Sequence, residues 1–409
     1  MSYKPARRWL LRHQRTTFLI ASGLSTAGSF AGLTAKGWIL MDSTGNPMVL
    51  ALHFAVLSLP TILVSGPAGK LTDRLGCETV LVRAQWGLFA SALVGALAIP
   101  LFEGMVQVVI LLLSTLLMGV ASSFELTARN KYSALLVDRP EQLAPYLASF
   151  SVVFNVGKLV GPPLGGWLVA LTAPSTALAI DAATYLVPIA SVIWLLHPHR
   201  GNEQLSGGGE GASLLTAWKE CGSTLRHVLR FTALSCLVGF FHPGLAPLIS
   251  AEVLGPSPQA LGIFTSVLAA GSITGGLMLR RNSVWLSERP GVLMGLCTVV
   301  TALAQLGMAS SGNQMLSLMM TFLIGGGTAS LLSGVNLIGQ VGAPMVLRGR
   351  MAGMGQIAFL GAGGLSGLMA ATLTGWIGLL PTFGLLGAMG LTLGLAELRR
   401  RGSLRLRST

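Results

Sequence analysis

Acidic side chains are the scarcest feature of this 409-residue chain: 14 Asp and Glu stand against 27 Lys and Arg, and all charged types together make up 10%. So few charges cannot solvate a soluble domain that is 52% hydrophobic with a mean hydropathy of +0.70. A lipid-facing surface resolves the mismatch. Aromatic residues are only 7%, and neither an aromatic cage nor a methionine metal ladder stands out. Cys77, Cys221, Cys236 and Cys297 lack metal-type spacing, so neither a disulfide framework nor a metal site is expected.

Several catalytic signatures are also missing. There is no G-x-x-x-x-G-K-[ST] phosphate loop, because Gly69-Lys70 is followed by Leu71, so no nucleotide is cradled as an energy source. H-E-x-x-H and G-x-S-x-G are absent too, and no catalytic residue or cofactor is assigned. The chain reads as a non-enzyme whose work is driven by a gradient.

What the sequence does contain is long apolar runs. At roughly 20 residues per bilayer crossing, spans fall at about 17–41, 48–71, 80–101, 106–128, 142–170 and 174–197. A second set follows at about 228–252, 258–280, 290–310, 313–338, 350–373 and 376–398. Lys4, Arg7, Arg8, Arg12 and Arg15 precede the first run, which is too long for a signal-peptide core and is read as a retained helix.

The net charge of +13 raises the question of nucleic acid, and the placement of the charges answers it. Every second connection is rich in Lys and Arg, whereas DSTGNP, FEGM, TAPS, GPSP, SSGN and the turn near Gly375 contain none. Short basic loops stay in the cytoplasm, so both termini are expected there and no nucleic-acid partner is called for. Only Lys36 and Lys158 fall inside spans, where a charge is costly.

The interval after His197 holds Ser206-Gly207-Gly208-Gly209 and reads as a flexible linker. The expected organisation is a six-helix bundle over 1–197, a cytoplasmic linker over 198–227 and a second six-helix bundle over 228–409. The glycine-rich fifth span, from Gly161, has a counterpart in the eleventh, from Gly361, which suggests duplication.

Two motifs carry more specific information. Between spans two and three the chain reads Gly69-Lys-Leu-Thr-Asp73-Arg74-Leu-Gly76. This resembles the G-x-x-x-D-R-x-G signature of the major facilitator superfamily, found at the same place, although that family usually continues with two basic residues where Cys77 and Glu78 stand here. The resemblance implies an all-α membrane fold of twelve helices in two pseudo-symmetric bundles. It also implies an inward gate latched by Asp73 at the start of the eleventh span, near Arg350.

In span five, Gly157-Lys158-Leu-Val-Gly161-Pro162-Pro163-Leu-Gly165-Gly166 is similar to the G-x-x-x-G-P-x-x-G-G element of exporters in that superfamily. Small residues let helices approach closely, and proline bends one. Further likeness lies in Leu337-Ile-Gly-Gln340, Pro344 and Arg348-Gly349-Arg350-Met351, and in Ser250-Ala-Glu252-Val-Leu-Gly255 followed by Gly262. Together these resemble the exporter branch that includes the enterobactin exporter and drug efflux proteins.

Ionisable groups inside spans are functional candidates by default. Lys158, at mid-depth of span five, is expected to meet an anionic substrate or to pair with an acid. Asp181, two turns into span six, either carries coupling protons or serves as the structural partner of a lysine. Lys36 is expected to snorkel toward the outer interface. His242, before Pro243-Gly244 in span seven, either couples protons or caps carbonyls freed at a helix break.

The reading is a monomeric, proton-coupled exporter of small amphipathic molecules such as siderophores, drugs or metabolites, resident in the inner or plasma membrane. A lipid or lysolipid translocase, or a non-transporting membrane sensor on the same fold, is the alternative.

Overall fold

The computed structural model describes residues 13–137, 143–196, 218–281, 289–342, 351, 354–355 and 357–400. Arg350, Arg348, Pro344 and the linker around Ser206 lie outside them.

The first half begins with α1 (Gln14–Thr44), which ends at a short turn. There Asn46 caps α2 (Pro47–Ser58) by accepting the Met48 N–H at 2.8 Å, and Pro47 occupies the first turn where its missing N–H costs nothing. The second span continues past Leu59 as α3 (Pro60–Leu75). Gly76, the last residue of the G-x-x-x-D-R-x-G motif, has φ +83°, a left-handed conformation that disfavours side chains. It turns the chain directly into α4 (Cys77–Leu101), and α5 (Gly104–Leu135), α6 (Leu143–Leu171) and α7 (Pro174–Ala190) follow.

The second half comprises α8 (Ser223–Gly239) and α9 (His242–Leu254), which form one broken span, then α10 (Pro258–Arg281), α11 (Pro290–Ser310) and α12 (Gln314–Gly342). A wider π turn at Ile357–Gly361 leads into α13 (Ala362–Ile377), and α14 (Leu379–Arg399) ends the described fold. Among the described residues, eleven helical stretches are long and apolar enough to cross a membrane, and Val156–Leu171 of α6 is a shorter apolar helix.

By internal contacts, one compact unit comprises Met1–Ser43, Pro60–Gly207 and Ser257–Ile263; the other comprises Thr44–Leu59, Gly208–Pro256 and Phe264–Thr409. In the first, α4 packs on α5 and α7; in the second, α11 packs on α12 and α14. The third span of each half therefore sits against the fourth and sixth of its own half, which is the duplication in physical form.

The two glycine-rich spans repeat a second relationship. Gly157, Gly161 and Gly165 form an i, i+4, i+8 stripe against Thr26, Ala27 and Ala31 of α1, where added Cβ atoms would meet side chain and backbone. The adjoining face, with Pro162, Pro163 and Gly166, meets Pro258 and Gly262 at the start of α10. In the second unit, Gly363 lies against Phe240, Gly364 against Ser58 and Gly367 beside Gly244. The fifth span thus meets the first and the start of the eighth, while the eleventh meets the seventh and the α2 part of the second.

Apolar groups coat the exterior. Leu63, Leu171 and Met105 are largely exposed, as are Trp167, Trp194 and Trp376 near span ends, where amphipathic rings favour the lipid–water boundary. Inside the first unit, near the start of α1, Phe18 packs edge-to-face on Tyr132 at 5.1 Å and on Phe150 at 5.7 Å.

Candidate functional site

The polar interior of the first unit is organised by close contact between α1 and α7. Gly28 lies against Thr184, and Gly32 lies against the Asp181 carboxylate, so a side chain at either glycine would push the helices apart. Asp181 and Tyr185 stand at i and i+4 on one face of α7, with the phenol beside the carboxylate. The Tyr185 hydroxyl also pairs with Ser29 of α1 at 2.7 Å.

Lys36 completes the arrangement. Its side chain is 1% exposed and Asp181 is 2% exposed, and each is the charge that acts on the other. The Lys36 ammonium donates to Ser114 Oγ of α5 at 2.9 Å, Ser114 passes its own hydrogen to Leu111 O, and Ser91 of α4 donates to Ser114 O at 2.7 Å. Gly95 of α4 leaves room for the lysine stem, because a Cβ there would lie 3.1 Å from Lys36 Cε. The expected snorkelling of Lys36 is not what the fold does. The side chain stays buried because a hydroxyl accepts from it there and an opposite charge lies within electrostatic reach.

Four helices therefore converge on two opposite buried charges, which act on each other through space while Lys36 is held by Ser114. Asp181 Oδ1 has no hydrogen-bond partner among the described residues, so the carboxylate keeps a free lone-pair site for a proton or a water.

Lys158 occupies a different environment. It is half-buried on α6, one turn inward of Pro162 on the face that carries Pro162 and Gly166. It has no acid or hydrogen-bond partner among the described residues, and so it is not joined to the Lys36–Asp181 cluster.

In the second unit the seventh span breaks at Phe240–Phe241, as the His-Pro-Gly sequence implies, but the capping group is not His242. Pro243 has no N–H for Gly239 O, and the break also frees Val238 O. Gln305 of α11 takes both carbonyls through Nε2, at 3.3 and 3.4 Å, and reaches His242 Nε2 at 3.4 Å. His242 is 1% exposed, stacks on Phe241 at 4.4 Å and leaves Nδ1 without a partner among the described residues.

Gly69, Asp73, Arg74 and Gly76 fall at the end of α3 and the turn after it, with Asp73 and Arg74 exposed. Asp73 pairs with Lys131 of α5. The expected contact with Arg350 lies outside the described residues. A further pair, His227 Nε2 to Glu397 Oε1 at 2.9 Å, ties α8 to α14.

Sequence reasoning did not single out Ser29, Ser114, Tyr185, Gln305 or Lys131. Tyr185 was findable from its i+4 spacing to Asp181, and Gln305 as an amide in an otherwise apolar span. Ser114 and Ser29 carry no local signal, since serines are common in packed membrane helices.

A duplicated helical fold around membrane-embedded polar groups is the architecture of the major facilitator type. Solved structures share this fold: the nucleoside transporter NupG superposes with a TM-score of 0.70 at 13% identity, covering 95% of this chain and 98% of that one. A POT family transporter gives 0.74 at 10% identity, covering 94% and 95%. The pattern of the transmembrane secretion effector family matches residues 9–401, and the chain belongs to that family. It is 27% identical over 400 residues to the multidrug efflux pump Tap of Mycolicibacterium fortuitum, covering 92% of this chain and 93% of that one. It is also 26% identical over 249 residues, 59% of each chain, to macrolide efflux protein A of Streptococcus pyogenes. The protein is a multi-pass transporter of the cell membrane.

Proposed function

We propose that the protein is a proton-coupled exporter that moves small amphipathic compounds, drugs among them, outward by alternating access, with both termini in the cytoplasm and no chemical change to the cargo. The efflux pumps it resembles support the direction and the cargo class. The observation that carries proton coupling is the buried Lys36–Asp181 pair with its free carboxylate oxygen. A buried pair whose members are balanced only by each other changes its interactions whenever one gains or loses a proton, which lets a proton gradient bias a two-state carrier.

Lys158 serves the cargo rather than the proton in this reading. A cation without an acid partner attracts the anionic or electron-rich part of an amphipathic substrate. Asp73, with Lys131 and the following glycine turn, belongs to the inward gate, and the glycine stripe of α6 is the packing surface on which the first unit moves as a body.

The test is uptake into inverted membrane vesicles with an imposed pH gradient, using hydrophobic cations, siderophores and lysolipids as cargoes. Gradient-dependent accumulation in the unsubstituted protein is expected, falling to background in Asp181→Asn, with Lys158→Ala altering cargo preference. Accumulation indifferent to the gradient removes proton coupling. Movement confined to lysolipid and unaffected by both substitutions returns the lipid-translocase alternative.

A further inference from the structure

Gly32 and Lys36 stand one turn apart on the same face of α1, and Gly32 lies directly against Asp181 Oδ2. The buried ammonium nevertheless does not sit on the buried acid. It rests on Ser114 Oγ of α5 at 2.9 Å, while Asp181 Oδ1 is left without a hydrogen-bond partner among the described residues. Nor does Tyr185 supply a hydrogen: Ser29 donates to Ser25 O at 2.8 Å, so the 2.7 Å contact between Ser29 and Tyr185 uses the phenol hydrogen. A charged carboxylate is a stronger acceptor for an ammonium than a neutral hydroxyl, and the preference is greatest where water is excluded. A lysine held by serine beside an unpartnered acid is therefore the arrangement of a carboxyl that carries its proton.

Ser114 is built to receive a donor. Its own hydrogen goes to Leu111 O at 2.8 Å, so only lone pairs face the lysine. The neighbouring helix fixes that turn, because Ser91 of α4 donates to Ser114 O at 2.7 Å. Gly95 of α4 opens space beside it: a Cβ there would stand 3.1 Å from Lys36 Cε and 3.6 Å from Ser114 Oγ. The flexible four-carbon stem lets the ammonium change partners without moving α1. The other titratable groups at this place are Tyr185 on α7 and Glu125 of α5, which acts on that phenol. The residues that α4 and α6 present here, Ser91 and Gly95 from one and the glycine stripe from the other, do not titrate.

We infer that Ser114 is a second berth for Lys36, and that the lysine exchanges Ser114 for Asp181 when the acid loses its proton. The inference rests on the reading of Asp181 as a proton carrier. In the exchange the Asp181 carboxyl gives its proton to water and gains a negative charge, and the ammonium moves to it with all three of its own hydrogens. α1 is then tied to α7 and released from α5, so the protonation of one carboxyl becomes a choice between helix neighbours. Ser114 is a positioning residue in this scheme: it carries neither proton nor cargo and acts through Lys36.

The purified full-length chain in detergent provides the test, through infrared difference spectra recorded across a pH titration. The C=O stretch of protonated Asp181 is identified by its loss in Asp181→Asn. In Ser114→Ala the second berth is gone, and the ammonium stays on the carboxylate and favours its charged form. The band is therefore expected to disappear at a pH about one unit lower than in the unsubstituted protein. Gly95→Ala presses on the lysine stem beside Ser114 and is expected to shift the band the same way, which keeps the test open if Ser114→Ala does not fold. A band that titrates at an unchanged or higher pH in these variants overturns the second berth and leaves proton coupling standing. A band that never appears overturns it as well, because the acid would then never release the lysine. Vesicle uptake indifferent to the pH gradient, with the band still shifted in Ser114→Ala, removes the coupling and keeps the exchange.

Discussion

In the first unit the polar interior is charged: Lys36 and Asp181 face each other between α1 and α7, and Gly28 and Gly32 let those helices close on them. In the second unit it is neutral, built from Gln305, His242 and a row of hydroxyls around a broken helix. The halves share a packing scheme, yet one solves the problem of buried polarity with two opposite charges and the other with an amide that caps loose carbonyls. The lesson is that the duplicated frame constrains helix neighbours and leaves the interior chemistry free to diverge.

The contrast can be broken first at the two buried charges. Lys36→Met alone is expected to lower stability by about 3–5 kcal/mol, because it leaves a buried carboxylate uncompensated, and Asp181→Leu alone is expected to do the same. Lys36→Met with Asp181→Leu is expected to recover most of that loss while remaining inactive, as thermal melting and vesicle transport would show. If the double variant is no better than the singles, the two groups are not each other's partner.

A smaller effect is expected where α6 packs on α1. Gly165→Ala pushes a methyl onto the backbone of Ala31, and overpacking of this kind costs about 1–3 kcal/mol. Gly66→Ala, which meets nothing nearby, serves as the control and is expected to melt with the unsubstituted protein.

In the neutral unit, Gln305→Leu leaves Val238 O and Gly239 O without a donor and is expected to cost about 1–3 kcal/mol. Gln305→Glu is expected to be worse than Gln305→Leu near neutral pH, since a carboxylate cannot donate to those carbonyls; the reverse order in melting experiments would mean that the cap is not the residue's role. The smallest effect belongs to the surface. Lys131→Met removes the partner of an Asp73 side chain that is 64% exposed, and less than about 1 kcal/mol of stability is expected to go with it. Any large loss of transport in that variant would then report on gating rather than folding.

Much of this was legible beforehand, and the reasons are specific. Asp181 was identified because an acid in an apolar run stands out, and the break near His242 because Pro243 cannot donate a backbone bond. The direction taken by Lys36 was not legible: a lysine near a span end reaches water or turns inward according to what neighbouring helices offer, and Ser114 and Asp181 are remote from it in the chain. Gln305 was passed over for the same reason, since the carbonyls it caps belong to another span.

The amino-acid order by itself determined the spans, their alternation and the turns between them, because hydropathy, positive charge and left-handed glycine act over a few neighbouring residues. Only the tertiary structure decided which buried polar groups meet. Partnership in a low-dielectric interior depends on a few ångströms of approach between segments that the chain separates by scores of residues, and helix packing alone sets that distance.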